Sequence, residues 1–104
     1  MKIIIWNVQG AKKAQLQLEV AFINRTINPD ILFLIETMVN DLNAQSIIRT
    51  LGFRNFDFIF PNNHVGGIWA LWKDYNVVLG IIAKEHRAIH CLYLKNLIIN
   101  DVLL

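Results

Sequence analysis

Two apolar runs near the start of the chain, Ile3–Gln9 (IIIWNVQ) and Asp30–Thr37 (DILFLIET), each close on a polar side chain. Unbroken apolar runs read as strands buried on both faces, so Asn7 and Glu36 mark where each strand surfaces. Between the runs the period changes. Leu16, Val20, Ile23 and Ile27 recur at helical spacing, with Lys12, Lys13, Gln17, Glu19, Asn24 and Arg25 among them. This predicts an amphipathic helix over Ala11–Ile27. Pro29 disfavours helical backbone at Asn28 and ends it. A strand, a helix and a strand in so short a span demand a parallel pair joined by a right-handed crossover. Parallel strands point the same way. Asn7 and Glu36 are therefore expected together at the C-terminal edge, where open α/β sheets bind ligands. An amide and a carboxylate placed there can form part of a site for a hard divalent cation.

The remaining chain predicts one more helix and then strands. Asn40 can cap a helix running to Leu51, with Ala44, Ile47, Ile48 and Leu51 as its buried stripe and Gly52 just past its end. Phe56, Phe58 and Phe60 alternate with Asp57 and Ile59. Further strands are expected at Ile68–Trp72 and Val77–Ala83, with a hairpin of Ala88–Leu94 and Leu97–Val102. Trp69 and Trp72 fall on opposite faces of their strand. The expected architecture is α/β: two helices on one face of a mixed sheet of about six or seven strands.

Composition narrows the function classes. At 104 residues the chain holds one domain, with a core of modest size. The apolar fraction of 55% raises the question of a membrane span, but no run approaches the ~18–20 apolar residues a span needs. The start does not read as a signal peptide, since Asn7 and Gln9 interrupt a short apolar stretch. A net charge of +2 is too small to argue for nucleic acid by itself. Cys91 is the only cysteine. That excludes an internal disulfide framework and is compatible with a reducing intracellular compartment, nucleus or cytoplasm.

The segments IIIWNVQG, NPDILFLIET, GFRNF and HVGGIWALWKDYNV, in this order, resemble the amino-terminal half of the endonuclease/exonuclease/phosphatase superfamily. They are most similar to the endonuclease domain of plant LINE-type retrotransposons, and the resemblance runs from Met1 to about Tyr93. It implies part of a DNase I-like αββα sandwich, with residues 1–104 as a single incomplete domain. It also implies a Mg²⁺- or Mn²⁺-dependent phosphodiesterase acting on nucleic acid, DNA in particular. By the same resemblance, Glu36 falls on the metal-ligating glutamate. Asn7 falls on the asparagine that supports the metal and phosphate, and His64, before Gly66–Gly67, falls in a loop near substrate. A hard Mg²⁺ suits carboxylate and water oxygens and can neutralise charge developing on a transferring phosphate.

The departures from that pattern bear on activity. Ile35 stands where glutamine is usual, Met38 where a basic residue is common, and Gln9 where repair enzymes carry an acid. Leu97–Leu104 ends without the expected tyrosine. The Gly-Asp-x-Asn and Ser-Asp-His segments of the family, and with them the general base and the second sheet, have no counterpart in the sequence. The resemblance therefore predicts a retroelement-derived, truncated domain that is inactive alone and self-associates through an exposed sheet. Two other classes stay open: a non-enzymatic α/β binding module, and a phosphatase or phosphodiesterase of a small phosphorylated substrate. The turn Gln9-Gly10-Ala11-Lys12 lacks the glycine-rich form of a nucleotide-phosphate loop. Lys12, Lys13 and Arg25 are expected on a solvated helix face. His86 and His90 are read as structural, and Cys91 as a buried small hydrophobe.

Overall fold

A computed structural model describes residues 2–12, 14–61, 66–73, 79–85, 88–93 and 97–103. The elements follow as β1 (Ile3–Asn7), α1 (Gln15–Thr26), β2 (Ile31–Ile35), α2 (Asp41–Ile48), β3 (Asn55–Ile59), β4 (Ile68–Trp72), β5 (Leu79–Glu85), β6 (Ala88–Tyr93) and β7 (Leu97–Leu103). It is a small α/β fold. β1 and β2 pair in parallel, with Ile3 opposite Ile31 and Asn7 opposite Ile35. β4 pairs antiparallel with both β2 and β3, giving a mixed sheet in the order β1-β2-β4-β3.

Alternation sorts the two faces of this sheet. Leu32, Leu34, Trp69 and Leu71 point toward the helices and pack with Leu16, Val20, Ala44 and Ile48. Ile31, Phe33, Ile68 and Ala70 point the other way, joined by Ile59 and the half-buried Trp72. Trp69 and Trp72 thus divide between the faces as strand geometry requires. Both faces are dry: Leu32, Leu34, Ile31 and Phe33 each have 0% exposure.

The strands do not form a single sheet. β5, β6 and β7 make a separate antiparallel sheet in that order. β4 has β2 on one side and β3 on the other, so the strand that follows it in the chain cannot pair with it. The face of the first sheet turned away from the helices is not bare. Neither helix contributes to the cluster of Ile31, Phe33, Ile68 and Ala70, yet these side chains are fully buried. β5 approaches β3.

The helix boundaries also move. α1 begins at Gln15, not Ala11. Gly10 has φ +102°, and the Ala11 N–H is spent on Thr37 O at 2.7 Å, which holds residues 8–11 in a ladder instead of a helix. At the other end Asn28 adopts φ +53° and donates to Ile23 O at 3.0 Å. A left-handed residue just past the last turn is a common helix stop, and asparagine tolerates it. Asn40 occupies the N-cap position of α2 with extended backbone but makes no side-chain cap bond. Gly52 follows at φ +83°, and Ala44, Ile48 and Leu51 are buried as the stripe predicts.

Candidate functional site

The C-terminal ends of β1 and β2 bring Asn7 and Glu36 to one edge. Asn7 lies opposite Ile35, so Glu36 is the next residue along. Beyond the strands, the backbone continues to knit. Val8 N–H donates to Ile35 O at 3.1 Å, and Gly10 N–H to Glu36 O at 2.8 Å. A third segment joins from the start of β4: Thr37 N–H donates to Gly67 O at 3.2 Å, and Met38 N–H to Gly66 O at 2.8 Å. Three loops are therefore laced together by main-chain bonds.

This lacing requires unusual backbone. Gln9, Glu36 and Met38 have φ of +49°, +54° and +57°, and Gly10, Gly66 and Gly67 are also left-handed. A residue with a Cβ costs roughly 1–2 kcal/mol in that region. Such strain gathers at sites where geometry is held for chemistry. Gly67 is obligatory for a second reason. A Cβ there would collide with the Thr37 hydroxyl and press on the Met38 N–H. Thr37 is fully buried, and its Oγ1 has no hydrogen-bond partner among the described residues.

The side chains differ in how available they are. Asn7 is exposed, but its Oδ1 accepts the Gln9 N–H at 3.0 Å, so the amide shapes the turn that follows β1. Glu36 is half-buried. An open cleft beside them is lined by Gln9, Gly10, Lys12, Thr37, Met38 and Val39. Lys12 is the residue that sequence reasoning missed. Its expected helix starts at Gln15, so Lys12 stands in the loop at this edge and not on a helix face. The signal was present in Gly10, whose position after the strand favours a turn over a helix start. Arg25 does lie on α1, over the ring of Phe22 at 5.6 Å. His64, Lys13 and His86 lie outside the described residues, as does the turn at residues 74–76.

The donor set can be tested against a divalent cation. Among the described residues no three His, Cys, Asp or Glu side chains come together in a way that could hold a metal. One carboxylate does not make a closed cage. It does fit a hydrated Mg²⁺, which keeps several waters and is commonly anchored by one or two carboxylates plus substrate phosphate. Glu36 would be that anchor. Among the described residues no helix is long and apolar enough to cross a membrane. No family model matches the chain, and no curated protein matches it.

Proposed function

We propose that this edge is a phosphodiester-binding half-site of the Mg²⁺-dependent endonuclease type, acting on nucleic acid, as the resemblance implies. The observation that carries the reading is the placement of Asn7 and Glu36 on one sheet edge, reached by paired parallel strands. In this reading Glu36 anchors a hydrated Mg²⁺ or Mn²⁺. Asn7 fixes the turn that carries Gln9 and Gly10 into the cleft. Lys12 adds positive charge where a phosphate would lie, and Gly66–Gly67 hold the floor against Thr37. The metal, when bound, supplies charge neutralisation on the phosphate. The chain binds but does not hydrolyse alone, because Glu36, spent on the metal, is not free to take the proton of an attacking water and the Asn7 amide is no base.

A second reading, a non-enzymatic α/β binding module, is favoured by the Asn7–Gln9 turn, which gives Asn7 a structural task without any ligand. Paramagnetic broadening by Mn²⁺ separates the two. The proposal expects the amides of Gln9, Gly10, Glu36 and Thr37 to broaden, more strongly with an added oligonucleotide, and Glu36→Gln to abolish the effect. Uniform broadening, or a Glu36→Gln variant that behaves like wild type, sinks the metal site.

A further inference from the structure

We propose that two copies of this chain associate through the free edge of β1, paired antiparallel about a two-fold axis at Ile5. The surface is distinct from the site edge, and the inference does not rest on the reading given above.

β1 is the terminal strand of its sheet. The Lys2 carbonyl accepts from Ile31, and the Val8 N–H donates to Ile35. By the two-residue period, Ile4 and Trp6 also turn their backbone groups to β2. Ile3, Ile5 and Asn7 turn theirs outward, where no described strand lies beyond. From Ile3 to Asn7 this edge carries no charge, no proline and no bulge, the devices that block strand addition. An unpaired edge of this kind specifies an extended strand as its occupant.

The strand is complementary to itself. With Ile5 opposite the other copy's Ile5, Ile3 falls opposite Asn7. Each of these facing pairs exchanges both its N–H···O=C bonds, the narrow antiparallel ring. Every outward group of β1 then finds a partner. On the helix face the same register sets Ile4 opposite Trp6, a β-branched–aromatic pair of the favoured kind. On the other face it closes Ile5 over Ile5, and Ile5 is 56% exposed in the single chain.

The helix above the edge extends the contact. Leu18 and Phe22 are exposed and line an apolar groove with Trp6. The two-fold axis sets the two α1 helices antiparallel on one face of the joined sheet. Glu19, in the groove wall, then runs toward the end of the other helix that carries Arg25. A second copy thus meets hydrogen bonds, apolar surface and opposite charge together.

The test is sedimentation of the full chain and of Ile5→Lys and Ile5→Glu variants, with circular dichroism melts as a folding control. Wild type is expected to show a concentration-dependent dimer. Each variant places like charges face to face and should weaken the dimer at least roughly tenfold. An equimolar mixture of the two variants should dimerise again. Hydrogen exchange on wild type gives a readout free of substitution. The amides of Ile3, Ile5 and Asn7 should gain protection as concentration rises, while those of Ile4 and Trp6 stay unchanged. A wild-type chain that remains monomeric, a dimer indifferent to charge at Ile5, or protection without alternation would each overturn the proposal.

Discussion

At the N-terminal ends of β1 and β2 main-chain bonds from Asp30 and Ile31 to Lys2 O and from Lys73 to Asp30 O are joined by side chains reaching across. The Lys2 N–H donates to Asp30 Oδ2 and its Nζ to Ile27 O, each at 2.9 Å. Lys73 donates to Asn28 Oδ1 at 2.5 Å and lies over the Phe53 ring. At the C-terminal ends of the same strands the ties between segments are main-chain: residues 8–11, 36–38 and 66–67 are bonded backbone to backbone. Side-chain ties occupy the polar groups, and at this end only Asn28, which stops α1, is left-handed. Backbone ties leave Glu36 and Lys12 to other tasks, at the cost of left-handed residues. The difference is one of polar side chains left available at one end and engaged at the other.

The strongest challenge to this contrast is Gly67→Ala. It combines left-handed strain of roughly 1–2 kcal/mol with overpacking against Thr37 of about 1–3 kcal/mol. A urea midpoint shift of that combined size is expected. Gly10→Ala sharpens the comparison. Gly10 has similar backbone, but nothing lies within 4 Å of an added Cβ, so only the strain of roughly 1–2 kcal/mol should appear. Equal losses in both variants would mean that the Thr37 contact does not matter.

Glu36→Asn comes next and has the opposite sign. Asparagine tolerates left-handed backbone better than glutamate, so the variant should gain about 0.5–1 kcal/mol, part of the strain. It should lose Mn²⁺ broadening at the same time. A gain in stability with loss of binding is the signature of a residue kept for function. If Glu36→Asn is destabilising, the strain reading of this edge fails.

The sequence foretold the edge better than it foretold the rest. The change from a continuous apolar run to a 3.6-residue period and back is a strong local signal, and it gave β1, α1 and β2 in parallel. The division of the strands into two sheets was not legible. Alternation tells which residues share a face, but not which strand a strand will pair with. The left-handed backbone at Gln9, Glu36 and Met38 was hidden too, because none of these is glycine. Lys12 was misplaced for a related reason: the helical period of Leu16, Val20 and Ile23 was extended backwards through a segment that bonds to Thr37 instead. The expected bare face followed from comparing the chain with a larger fold, whereas Phe33 and Ile68 are buried within this one.

At the opposite end, Lys2→Met should have a smaller effect. The Lys2 ammonium meets the last carbonyls of α1, where a cation is worth about 0.3–1 kcal/mol at an exposed position. The loss should shrink as salt is raised, because the charge is exposed and screened. A loss as large as that of Gly67→Ala would show that this end is no less demanding than the site end.

The smallest effect is expected at Lys73, and it is a dependence on pH. Burial lowers the Lys73 pKa from 10.5, and Asp30 opposes that shift only in part. The sign follows from proton counting. Between the lowered folded value and 10.5, the unfolded chain holds more proton than the folded one, so stability rises with pH across that window. Below it both states carry the charge, and the cost of holding it in the fold is fully present. The melting temperature of wild type should therefore climb slightly toward pH 10.5 relative to Lys73→Met. Tyrosine ionisation acts on both proteins, so their difference isolates the lysine. A difference that is flat through this range would mean that Lys73 is solvated well enough to titrate normally. A difference that falls would mean that Asp30 and the Phe53 ring outweigh burial, and that this end of the sheet is closed by charge.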